Sequence, residues 1–289
     1  MSHHPLPDAV EPKSLDIQHD TDPEQDHGLA RRIPHMGHAL LFFTLAWMLV
    51  SVSALIIFSL AHLNQDSLAQ HPGIVLLAQA LAYVLILAVS YWLFPHLWEI
   101  TFPQGIHWGL LAARRKWYWI VAGGVVLSAA AQSCLYFLPQ PKTTPFDQLL
   151  STRMSGWLLA IFAVTLAPIT EEIAFRGFLL PALATAYDWL ALERSPAGLD
   201  RWQQSTQHST SALAFAAIFS SVPFVLLHAD QISHAWGILG VLYGVSLALS
   251  LVRIRTHSVA CSTLLHATYN LTIFAVTLVS TGGFKHLSR

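Results

Sequence analysis

Residues 168–177 read P-I-T-E-E-I-A-F-R-G and set two adjacent glutamates and an arginine inside one of the most apolar parts of the chain. W-L-L-A-I-F-A-V-T-L-A (157–167) precedes them and F-L-L-P-A-L-A (178–184) follows. A charged side chain at the centre of a bilayer costs roughly 3 kcal/mol on insertion scales, so it is rarely kept there without a task. Glu171, Glu172 and Arg176 therefore mark a functional site, and the rest of the sequence is searched for groups they can work with.

The 289 residues are 54% hydrophobic and only 11% charged, whereas soluble domains carry about 25% charged residues. An all-α polytopic membrane bundle is the reading that fits. The net charge of -1 implies no general affinity for nucleic acid. Cys134 and Cys261 both lie in apolar runs and make neither a disulfide framework nor a zinc spacing, so both are expected as buried free thiols. Residues 1–36 are rich in Asp, Glu, His and Pro without apolar periodicity and are expected to form a disordered polar tail. The six histidines before position 40 are read as tail composition rather than metal ligands.

A bilayer core of about 30 Å takes roughly 20 helical residues. Runs of about that length occur at 40–60, at 74–94 (closed by Pro95), at 119–138, and, after residue 150, at 157–190, 212–227, 235–252 and 259–279. Seven spans are expected, within a range of six to eight. The mixed stretch 99–117, with G-L-L-A-A-R-R-K, suggests an interfacial helix. The run 157–190 is too long for one straight span, about 50 Å at 1.5 Å per residue. It must tilt, kink at Pro168 or Pro181, or split. Residues 37–150 thus hold the N-terminal spans with an interfacial segment, and 151–289 the part that carries the polar motifs. Arg31, Arg32, Arg114, Arg115, Lys116, Arg194, Arg201, Arg253 and Arg255 fall on one side if the N-terminus is cytoplasmic, against Lys142, Arg153, Lys285 and Arg289 on the other. The positive-inside rule favours that orientation.

Strongly polar side chains in the later spans form three groups. Glu172 and Arg176 stand at i,i+4 and share a face, while Glu171 lies about 100° round and addresses a different neighbour. In F-V-L-L-H, Phe224 and His228 share a face. In H-A-T-Y-N, His266 and Asn270 do the same, two donors projecting one way. Each group alone has a plainer reading: a packing pair, a residue at a span end, interhelical glue. Together they supply a base, an imidazole and oxyanion donors. A glutamate and a histidine holding one water would attack a carbonyl, and preorganised donors opposite would stabilise the oxyanion. That is a constellation for amide hydrolysis without a covalent intermediate.

Other hydrolytic chemistries lack their residues. No H-E-x-x-H is present. Gly244-Val245-Ser246-Leu247 lacks the final glycine of a G-x-S-G serine motif, and Asp188 has no G-x-G-D partner. His228, His266 and Glu171 can be drawn as two imidazoles and a carboxylate around a metal, but no helix presents two such ligands one turn apart. No metal and no cofactor are expected.

In order, E-E-x-x-x-R, F-x-x-x-H and H-x-x-x-N resemble the CPBP (Abi-like) family of CAAX prenyl proteases and bacteriocin-processing or immunity proteins, regarded as intramembrane glutamic endopeptidases and formerly described as metalloproteases. The lead-in P-I-T-E-E-I-A-F-R-G-F-L-L-P and R-I-R-T-H-S at 253–258 are also similar, with His257 where that family usually has glycine. The resemblance covers about residues 155–280 and marks 151–289 as the catalytic core. It implies that Glu171 is the main base and works with His228 on the attacking water. It further implies that Glu172 and Arg176 support Glu171, that His266 and Asn270 form the oxyanion site, and that Phe224 shapes the substrate pocket. The substrate implied is a protein or peptide delivered at the membrane, with the lipid bilayer as the surrounding partner and a bacterial inner or plasma membrane as the location. Two alternatives remain: a non-catalytic immunity factor or scaffold that keeps the fold, and a proton-coupled transporter. Straight-helix counting leaves one difficulty, since Glu171 lies about 22 Å from the outer end of its span and His228 about 25 Å from the inner end of its own, near opposite faces.

Overall fold

The computed structural model describes residues 32–284. The expected polar tail lies, for residues 1–31, outside the described residues. Its last part is built into the fold: Arg32 donates to the carbonyls of Gln207 and Ser205 and lies over the Trp202 ring, and the His35 side chain caps the first helix.

The chain is all-α. Helices α1 (Met36–Leu60) and α2 (Pro72–Trp98) pack against each other, and α3 (Leu110–Tyr136) follows. Next comes a broken run of α4 (Arg153–Val164), α5 (Leu166–Glu172), a π-helical turn (Ile173–Leu179) and α6 (Leu180–Leu190). Helices α7 (Thr210–Leu226), α8 (Trp236–Thr256) and α9 (Val259–Ser280) complete the bundle. Among the described residues, six segments are long and apolar enough to cross a membrane: α1, α2, α3, the run Arg153–Leu190, α8 and α9. The seventh expected span, α7, is apolar but shorter, at 17 residues. The protein is a polytopic integral membrane protein.

Large apolar side chains such as Trp47, Leu55, Leu60, Val126 and Val279 are exposed on the outer faces, where lipid rather than water would meet them. Trp117, Tyr118 and Trp119 cluster near one end of α3 and Tyr136 with Phe137 near the other, as aromatic belts do at the two bilayer interfaces. Cys261 is buried, but Cys134 is exposed, which corrects the expectation for that thiol. Apolar neighbours in a membrane helix signal lipid contact as readily as core. The G-L-L-A-A-R-R-K stretch also differs from expectation. It forms the opening turns of α3 and not a separate interfacial helix.

Helix α9 is the central strut and packs on α3, α4, α5 and α8. Its start is pinned to the turn before α3. Val259 and Ala260 N–H donate to the carbonyls of His107 (3.0 Å) and Trp108 (2.8 Å), and Ser258 Oγ donates to Trp108 and accepts from Cys261 N–H. These bonds satisfy amides that a helix N-terminus otherwise leaves unpaired. Alongside α9, α3 buries Gly124, Ser128 and Ala131, the small-residue pattern that lets membrane helices approach closely. A Cβ on Gly124 would sit 2.7 Å from Thr268 Cβ and 3.0 Å from the Leu265 carbonyl.

Candidate active site

Proline 168 decides how the charged stretch is presented. It has no N–H to return to the carbonyl four residues back, and the helix breaks just before it, at Thr165 (φ -116, ψ -79). Asn270 on α9 reaches the frayed end of α4, its Nδ2 donating to the Ala163 carbonyl at 2.7 Å. Beyond α5 the backbone widens into the π-helical turn, which carries Arg176. Such turns re-aim side chains within a helix and recur at functional sites.

Glu172 is completely buried and Arg176 is 1% exposed. Arg176 Nη1 donates to Glu172 Oε1 at 3.0 Å, and Nη2 donates to the Ser246 carbonyl and Oγ, both at 2.7 Å. The i,i+4 pair read from spacing is therefore present and is anchored to α8 as well. Ser246, weighed in the sequence only as a failed nucleophile, accepts from that arginine. Nothing in the spacing of Arg176 and Ser246, 70 residues apart, announces the bond.

Across from this pair, His266 Nδ1 donates to Glu172 Oε1 at 3.0 Å, and its Nε2 lies 3.9 Å from Glu171 Oε2. The first contact is a hydrogen bond. The second is longer than a direct one and invites a bridging water. His266 is thus held between the two carboxylates. Glu171 is the more open of the pair, its side chain 17% exposed against 0% for Glu172.

Phe224 joins the third group to these. Its ring lies 4.8 Å from the Arg176 guanidinium carbon, 5.2 Å from the Phe175 centroid, 6.0 Å from His266 and 5.0 Å from His228. His228 Nδ1 donates to the Phe224 carbonyl at 2.8 Å, which leaves Nε2 as the nitrogen able to accept a proton. The difficulty over depth has a structural answer. Helix α7 is short, and its last turn stands at the level of Arg176 and His266, so straight-helix counting from span ends misplaced it.

Glu171, Glu172 and Arg176 from the α5–π junction, Phe224 from the end of α7 and His266 from α9 are thereby brought together, and His228 lies beside Phe224. Asn270, one turn further along α9, binds the end of α4. Tyr83 of α2 comes within electrostatic reach of Glu171; the first three spans hold no motif, so sequence reading passed over it. Among the described residues, no group of three or more His, Cys, Asp or Glu side chains is arranged to hold a metal ion.

Residues 153–272 match the family model described as Type II CAAX prenyl endopeptidase Rce1-like. The match spans less than half of the chain and encloses every residue of the cluster. It is consistent with the CAAX-protease superfamily and does not specify a subtype. No curated protein and no solved structure matches the chain.

Proposed function

We propose that the chain is a membrane-embedded endopeptidase of the matched type, hydrolysing a peptide bond of a protein or peptide that reaches it through the membrane. The observation that carries this reading is the placement of His266 between a fully buried, arginine-paired Glu172 and a more open Glu171. Two neighbouring carboxylates in such different surroundings divide into a structural anchor and a working base, a separation of roles that acid–base catalysis requires.

In this mechanism Glu171 takes a proton from a water that His228 Nε2 also holds. The water oxygen bonds to the scissile carbonyl carbon, and the carbonyl electrons pass to its oxygen. His266, anchored on Glu172, donates through Nε2 toward the oxyanion, and the second N–H of Asn270 adds to it. Collapse breaks the C–N bond, and the leaving amine takes the proton from Glu171. Phe224 holds both imidazoles in register. No side chain is acylated along this route.

Single-turnover cleavage of a membrane-inserted peptide in ¹⁸O-enriched water tests it. The purified protein in liposomes should place one ¹⁸O in the new carboxylate, with no acyl-protein trapped by denaturation. An acylated chain, or no cleavage of either prenylated or unmodified membrane peptides, contradicts the proposal, and the latter result supports a non-catalytic scaffold.

A further inference from the structure

The chain buries a second arginine that the cluster around Glu171 does not use. Arg253, in the last turn of α8, is 7% exposed. Among the described residues it makes no hydrogen bond or ion pair, and its Nε is buried without a partner. Arg176 has Glu172 and Ser246 as partners for its two terminal nitrogens, although its Nε is also unpartnered; Arg253 has no hydrogen-bond or ion-pair partner among the described residues. A guanidinium withdrawn from water and left uncompensated is costly to maintain, unless something outside the chain supplies the counter-charge.

Arg253 lines a cavity of about 650 Å³ at one end of the bundle, with Arg32, Gln104, His107, His208 and His257. These come from the segment before α1, the turn between α2 and α3, the loop before α7 and the end of α8. Among the described residues, no carboxylate lines it. Asp188, the nearby acid, is engaged by His208 Nδ1 at 3.0 Å and by Ser209 Oγ at 2.6 Å. His107 feels Arg253 and His257, and His208 feels both arginines. His107 is held below the ordinary imidazole range, by burial first and by the Arg253 guanidinium second. Apolar walls from Leu180, Pro181, Leu213 and Ile254 complete the cavity.

We infer that this cavity is a binding site for a phosphoryl group, with Arg253 as its principal ligand and Arg32 at the rim. Arg253, which no carboxylate of the described residues opposes, and Arg32 at the rim, which Asp188 reaches electrostatically, together suit an anion. Their planar forks match phosphate oxygens, and the imidazole N–H groups and the Gln104 amide supply further donors. A cavity of this size is in the range of organic ligand sites and exceeds what a bare phosphate fills. The phosphoryl group is therefore carried on a larger body, either a lipid headgroup or a soluble phosphate monoester. The site lies beyond the charged cluster along the α5–α6 run and does not depend on the proposed peptidase activity.

Thermal unfolding of the full chain tests it. In detergent, glycerol phosphate or inorganic phosphate is titrated against chloride at equal ionic strength; in parallel, nanodiscs of phosphatidylcholine with and without phosphatidylglycerol are compared. A saturable rise of several degrees is expected in at least one arm, and Arg253→Gln should remove it. A rise with the soluble esters assigns a soluble monoester, and a rise only with phosphatidylglycerol assigns a lipid. No saturable rise in any arm, or an equal rise in Arg253→Gln, overturns the inference. Should Arg253→Gln fail to fold, Arg32→Gln takes its place; half-saturation raised at least tenfold supports the site, and unchanged half-saturation overturns it.

Discussion

Glu171→Gln is expected to lower the rate of peptide cleavage by roughly 10²–10⁴-fold, the range for loss of a positioned general base, while changing stability by less than about 1 kcal/mol. The reason lies in its surroundings. Its carboxylate is 17% exposed and stands 3.9 Å from His266 Nε2, so the amide replaces it without leaving a buried donor unpaired. Glutamine keeps the size and loses the capacity to accept a proton. Cleavage by the purified variant in liposomes and its unfolding midpoint, followed on the ten tryptophans, check both halves. A variant that cleaves at the wild-type rate removes Glu171 from the chemistry, and one that does not fold removes the distinction between the two glutamates.

Glu172→Ala should behave in the opposite sense, destabilising the protein by about 3–5 kcal/mol, as removal of one partner of a buried ion pair does. Arg176, 1% exposed, would keep only its bonds to Ser246, and His266 Nδ1 would lose its acceptor. Replacing both partners by apolar residues of similar volume, Glu172→Met with Arg176→Met, should restore much of the midpoint without restoring cleavage, since His266 stays unanchored. A double variant as unstable as Glu172→Ala, or one that cleaves normally, contradicts this assignment.

The contrast between these neighbours was half legible in the sequence. Helical spacing set Glu172 against Arg176 and turned Glu171 elsewhere, and local geometry bore that out. The spans read at 157–190, 235–252 and 259–279 were legible because apolar run length needs no knowledge of neighbours, whereas the run at 212–227 is a helix shorter than a full span. What was hidden was long-range or irregular. Periodicity of 3.6 residues cannot announce a π-helical turn, so the aim of Arg176 at Ser246 was out of reach. His266 was assigned to a donor pair with Asn270, yet one of its nitrogens is bonded to Glu172, 94 residues away. Asn270 itself spends one N–H on the Ala163 carbonyl that the break before Pro168 exposes. Pro168 was recognised as a breaker, but where the chain bends depends on the helices that receive it. Cys134 shows the converse limit: an apolar neighbourhood does not tell lipid from protein interior.

The proposed chemistry depends most directly on one water shared by Glu171 and His228, and a double-mutant cycle on cleavage rate measures that sharing. Groups that act as a unit lose their effect together. If both hold the same water, Glu171→Gln combined with His228→Ala should be no slower than the slower single variant, within about threefold. Losses that multiply in the double variant would mean that the two residues act independently, and the shared-water mechanism would be wrong.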